Sequence, residues 1–402
     1  MTTTTDLKSF VDRIPKIELH AHLNGCVRES TLVALAKERG IQLSDHHFAD
    51  DHDDDTCVSH MYNSKPRSLV DCFDIFVQVG QVVADLEALR LITREALHDF
   101  ATHHVAYLEL RSTPKRLRRT WKSDELTTKR DYVDVILSVI RDFEREEQER
   151  YECEKDIVGT AHCRLPLKAR LLVSIDRARD VEEALENVKI AIDLHQDGNP
   201  FIVGVDLGGN PLRNDFRDFE GMLAIARQAG LKITLHCGEV PCAESNNDPN
   251  LAHVKALEEA HALISFHPDR LGHALLLPQS MRPALSSSKV PVEACPTSNV
   301  MTLELAASFH GHLVEGLKAH PQMEHWLSTD YPFSVSTDDS GVFNTNPSKE
   351  LLLLSLAWNL SPAKLTHIVM RSIDHAFCDE KLKVLLRESM LPYFGVFEPL
   401  PK

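Results

Sequence analysis

Hydrophobic and polar positions along this chain follow two periods, and the switch between them recurs from end to end. Short apolar runs of strand type are Ile17-Glu18-Leu19, Val105–Leu110, Leu171–Ile175, Phe201–Val205, Leu231–Leu235, Arg270–Ala274, Pro291–Cys295 and Phe333–Thr337. Between them lie stretches with apolar residues three and four apart, the mark of amphipathic helices. These are Thr31–Arg39 closed by Gly40, Leu69 to about His103, Tyr132–Glu149, Val181–His195, Phe219–Gln228 closed by Gly230, and about Leu251–Leu263. Leu351–Trp358 and Ala363–Phe377 follow the last strand. Eight short strands mostly separated by helices predict an α/β fold, a (β/α)8 TIM barrel, whose functional residues gather at the C-terminal ends of its strands. An open doubly wound sheet would collect them at one crevice. Here the candidates end the first, fifth, sixth and eighth strands, which barrel closure brings together.

Two segments break the pattern. Residues 44–68 form an acidic loop insertion containing Asp50-Asp51-His52-Asp53-Asp54-Asp55, read as a solvated loop in preference to a second metal tract. Residues 149–165 read as an irregular, charge-rich insertion. With no internal repeat and no linker, the expectation for 1–402 is a single domain.

Composition narrows the class. The chain is ordinary for a globular protein at 43% hydrophobic and 26% charged residues. No apolar run approaches the roughly 18 to 20 residues of a membrane span. The first residues, Met1-Thr2-Thr3-Thr4-Thr5-Asp6, lack the basic and apolar regions of a secretory signal. Nine scattered cysteines without a C-x-x-C pair suit a reduced, cytoplasmic protein. A net charge of −16 argues against nucleic-acid polymers and anionic membranes as partners. An anionic small molecule would need a local cationic cluster.

The strand ends carry the chemistry. On an extended strand His20 and His22 share one face, so both imidazoles can reach one ion. Among 22 histidines such a pair arises easily by accident, and the remaining set gives it weight. His236 closes Leu231–Leu235, Glu239 follows three residues later, and Asp338-Asp339 closes Phe333–Thr337. Three imidazoles and a carboxylate suit zinc with an open position for water, and a spare glutamate suits a proton carrier.

His20-Ala-His22-Leu-Asn-Gly25, His236-Cys-Gly-Glu239, Gly272-His273, Cys295-Pro-Thr-Ser-Asn299 and Ser336-Thr-Asp338-Asp339 together resemble the adenosine deaminase family. The resemblance covers essentially the whole chain, in order. Leu23-Asn24-Gly25, Glu109–Pro114 and Asp338–Phe343 look most like its adenosine deaminase-like branch, the N6-methyl-AMP deaminases. Position by position it implies one zinc per chain on His20, His22, His236 and Asp338. Glu239 would give a proton to the purine N1 and then to the departing amine, and His273 would help orient the attacking water. Asp339 would pair with N7, the Gly209 N–H would approach N3, and His22 would also face the substrate. Asn24 stands where adenosine deaminases carry an aspartate for the 5′-hydroxyl. With Ser112, Thr113, Pro114 and Lys115 it would hold a 5′-phosphate, while Asp176 accepts a ribose hydroxyl.

The implied reaction is hydrolytic deamination of a purine nucleoside monophosphate, N6-methyl-AMP to IMP plus methylamine, by a monomer. Two alternatives stay open: deamination of free adenosine or deoxyadenosine, and an inactive purine-binding module. A binuclear hydrolase would want a bridging carboxylate or modified lysine at a middle strand end, where Asp206 and glycines stand without a lysine. Two positions depart from the pattern: Ala274 replaces a usual glycine, and Gly80 replaces a histidine that often faces the substrate.

Overall fold

The computed structural model describes residues 4–43, 69–158, 163–211, 213–239 and 249–394. Eight strands follow one another in a single sheet. They are β1 Lys16–His22, β2 Val105–Ser112, β3 Lys168–Asp176, β4 Ile202–Gly208, β5 Lys232–Cys237, β6 Arg270–His273, β7 Val292–Ala294 and β8 Phe333–Val335. Each pairs in parallel with the next. Just beyond β8 the chain returns to β1: Asp338 N donates to His20 O at 2.8 Å, and His22 N donates to Asp338 O at 2.9 Å. The predicted (β/α)8 barrel is the fold, and it closes through residues singled out for their chemistry.

Strand alternation sorts the residues. On β1, Ile17, Leu19 and Ala21 join the apolar core, whereas Glu18, His20 and His22 carry polar contacts. The barrel interior below the site is a fully buried ionic network. Arg111 pairs with Asp206 at 3.1 Å and Glu293 at 2.9 Å, and Arg270 pairs with Glu293 at 2.6 Å and with Glu109. Charges survive such burial only when paired and hydrogen-bonded.

Two expectations need revision. The periodic stretch from Leu69 to His103 is two helices, Leu69–Val82 and Leu86–Thr102. Asp85 divides them: its carboxylate caps the second by accepting from Glu87 N and Ala88 N at 3.0 and 2.9 Å. The first part of the supposed irregular insertion at 149–165 is helix, because Lys129–Val158 runs on through it. Its charges fall three and four apart and pair along the helix, Arg150 with Glu147 and Glu154, so they support the element they seemed to interrupt. Short helices Pro296–Thr302, Leu313–Lys318 and Met323–Ser328 fill the connection from β7 to β8, and Thr4–Arg13 and Glu380–Phe394 flank the barrel. The acidic insertion at 44–68 lies outside the described residues. Among those described, no helix is long and apolar enough to cross a membrane, and no cysteine forms a disulfide.

Candidate active site

Four side chains from three strand ends converge at the top of the barrel. His20 and His22 end β1, His236 lies near the end of β5, and Asp338 follows β8. Their donor atoms all lie within 4.8 Å of one another. His22 Nε2 is 3.2 Å from His20 Nε2 and 3.1 Å from His236 Nε2, and Asp338 Oδ1 is 3.2 and 3.4 Å from the β1 pair. Asp338 adopts φ +62, which an aspartate tolerates better than most side chains, and Ser298 Oγ donates to its Oδ2 at 2.7 Å.

The outer nitrogens decide what this cluster suits. His20 Nδ1 meets Glu293 Oε2 at 2.6 Å, and His236 Nδ1 meets Asp206 Oδ1 at 3.0 Å and Leu207 O at 3.1 Å. These are acceptors, so both rings carry their proton on Nδ1 and turn an Nε2 lone pair inward. Burial opposes a charge on His236, but Asp206 overrides it and raises the imidazole to about 9, so the Nε2 lone pair is a strong donor to a cation that displaces its proton. Lone pairs and a carboxylate aimed at one point fit a cation, and carboxylates behind ligating imidazoles are the usual supports of a zinc site. Glu293 was not singled out from the sequence, although a glutamate inside the apolar run Pro291–Cys295 was a visible anomaly, and Asp206 was noted only as the end of a middle strand.

A cavity of about 710 Å³ opens on this cluster. His22, His236, Glu239, Asp338 and Asp339 line it, as do the predicted contacts Asn24, Ser112, Thr113, Lys115, Asp176 and Gly209. His20 and His273 lie behind the wall, fully buried. Pro114 is buried and is not among the residues lining the cavity, whereas its neighbours Thr113 and Lys115 are. Burial, reinforced by Asp338, pushes the Glu239 carboxyl up to about 7, and burial beside Asp338 and Glu239 pushes Asp339 well above the carboxylate range. Asp339 sits so tightly under Gly25 that a Cβ there would lie 1.7 Å from its Oδ1.

Tyr132 was missed. Its buried hydroxyl bonds Ser112 Oγ at 2.7 Å and also Asn24, tying two predicted contacts together. Arg179 was missed too: it lines the cavity, and after burial it is the next influence lowering Lys115. One face of the helix Leu69–Val82 supplies an apolar wall of Phe73, Phe76 and Val77, and a Cβ on Gly80 would meet nothing within 4 Å. Ala274 holds φ +51, so the backbone takes the shape glycine would allow at a cost of about 1 kcal/mol.

The adenosine deaminase family model matches residues 15–392. A protein of Arabidopsis thaliana named N6-mAMP deaminase is 34% identical over 390 residues, covering 94% of this chain and 96% of its own. The solved structure of arabidopsis ADAL complexed with IMP superposes with a TM-score of 0.74 at 32% identity, covering 98% of this chain and 99% of that one. The same protein complexed with GMP gives 0.73 at 32% identity, with 97% and 99% covered. With the family model spanning nearly the whole barrel and its polar strand ends, the chain belongs to the adenosine deaminase family and is a purine deaminase.

Proposed function

We propose that the chain hydrolyses N6-methyl-AMP to IMP and methylamine. The observation that carries this reading is the neutral Asn24, tied through Tyr132 to Ser112 in the cavity that Lys115 and Arg179 also line. A carboxylate at that position would repel a phosphate, whereas an amide can donate to it. A similar protein named N6-mAMP deaminase and similar structures holding IMP and GMP support the nucleotide assignment.

His20, His22, His236 and Asp338 would hold one zinc, which supplies the Lewis acidity that brings a water toward ionisation at neutral pH. Glu239 faces the same space, its carboxyl held by burial at about 7, where it can give a proton to N1 and then one to the departing amine. Asp339, kept protonated by burial, donates to N7. The Gly209 amide approaches N3, a close backbone contact that glycine permits at φ +86. Asp176 accepts from a ribose hydroxyl, and Lys115, Ser112, Thr113 and Asn24 hold the phosphate, with Arg179 adding a second cation. Scattered cysteines without a C-x-x-C pair suit a reduced, cytoplasmic setting. Metal analysis with an absorbance assay for purine deamination tests the reading. One zinc per chain and activity lost on chelation are expected; a fully active metal-free preparation would sink it.

A further inference from the structure

We infer that Asn299 and His320 fix the tautomer of His273, so that it presents an Nε2–H donor to the attacking oxygen and cannot act as the base. The catalytic consequence rests on the deaminase reading above; the tautomer itself rests only on hydrogen-bond direction.

The chain of direction starts at two backbone amides. Gln322 N and Met323 N lie 3.2 and 3.0 Å from His320 Nδ1, and a backbone N–H can only donate. His320 Nδ1 therefore offers its lone pair, and its proton sits on Nε2. Burial agrees, pushing this imidazole down to about 4 and keeping it neutral. His320 Nε2 faces Asn299 Oδ1 at 3.4 Å, so the amide oxygen accepts there. The amide Nδ2 is then turned to His273 Nδ1, 3.0 Å away, and donates to it. His273 Nδ1 must accept, which leaves its proton on Nε2.

Both rearrangements are penalised. A flipped Asn299 would set its NH2 against the His320 Nε2–H, and a proton on His273 Nδ1 would set two donors face to face. His273 and Asn299 are fully buried and His320 is nearly so, so bulk water offers no substitute partner.

The other end of the relay points at the chemistry. His273 Nε2 is buried with no hydrogen-bond partner among the described residues. It lies 3.9 Å from Glu239 Oε1 and 4.0 Å from Asp338 Oδ2, facing the space between the proposed acid and a proposed ligand. An N–H fixed there stabilises negative charge developing on the attacking oxygen, and loss of one such donor typically costs about 10² to 10³-fold in rate. The proton shed by the attacking water goes to a carboxylate, because His273 turns no lone pair toward it. Asn299 and His320 are thus positioning residues that act through His273.

The tautomer is directly measurable. In full-length, zinc-loaded protein with 15N-labelled histidines, two-bond 1H–15N correlations distinguish the two ring forms, with His273→Ala and His320→Gln assigning the signals. Both residues should carry the proton on Nε2. A proton on His273 Nδ1 overturns the inference, even in a fully active enzyme. Nε2–H signals in a protein that deaminates no purine would leave the relay standing and remove the deaminase reading. Asn299→Asp, whose carboxylate accepts from both neighbours, should move the His273 proton to Nδ1 and lower kcat about 10²-fold at unchanged KM and zinc content. Turnover within threefold of the parent, with the proton moved, would overturn the catalytic role.

Discussion

Glu293 Oε2 lies 2.6 Å from His20 Nδ1, joining the ionic network of the barrel interior to the cluster of His20, His22, His236 and Asp338. The same carboxylate accepts from Arg111 at 2.9 Å and Arg270 at 2.6 Å, so one residue fixes a proposed ligand and neutralises two buried guanidinium groups. Glu293→Gln keeps the shape and removes the charge. Metal affinity should fall about 10 to 100-fold, and stability by about 3 to 5 kcal/mol because two cations lose a partner. Chelator competition and denaturant unfolding measure the two effects, and an unchanged zinc affinity would detach Glu293 from the site.

Glu239 lies close to the cluster without joining it. Glu239→Gln should retain zinc and the fold and lose turnover by about 10² to 10⁴-fold, since an amide delivers no carboxyl proton. Turnover within threefold of the parent would assign the acid elsewhere.

The sequence made the rim of the barrel legible and left its interior obscure. His20, His22, His236 and Asp338 could be found because strand ends are where a (β/α)8 fold puts chemistry. Glu293, Arg111 and Asp206 lie within strands, where periodicity reports which face a residue takes and not what it meets across the barrel. His320 carried no signal: it lies in the long connection between β7 and β8, and its role depends on two amides and an amide side chain from another element. The helix boundary at Asp85 was hidden by apolar periodicity on both sides. The charges after Glu149 have the composition of an irregular insertion, but their spacing of three and four is that of a helix.

Burial raises Glu350 to about 7, with hydrogen bonds from Thr297 N at 3.0 Å and Thr345 Oγ1 opposing it. Between about pH 4.5 and 7 the unfolded chain releases this proton and the folded protein keeps it. The folded state therefore binds more protons, and its stability falls as pH rises. The contribution is complete below about pH 4.5 and is lost as pH rises through about 7, an effect of about 3 kcal/mol. Glu350→Gln should flatten the stability difference between pH 5 and pH 8 by about 2 to 3 kcal/mol, read from denaturant midpoints. Parallel profiles for parent and variant would show that Glu350 does not titrate in this range.

Asn24→Asp places a carboxylate beside the proposed phosphate. The repulsion is on the order of 3 kcal/mol for a charge pair at about 5 Å and an effective dielectric near 20. Nucleotide turnover should fall roughly a hundredfold with zinc content unchanged. An unaltered ratio of nucleotide to nucleoside turnover would remove Asn24 from the phosphate site.

Turnover of N6-methyl-AMP, AMP and adenosine, compared side by side on the zinc-loaded protein, addresses the central claim. The account predicts IMP and methylamine from N6-methyl-AMP as the fastest reaction, with free adenosine slow. Faster deamination of adenosine than of either monophosphate would contradict it.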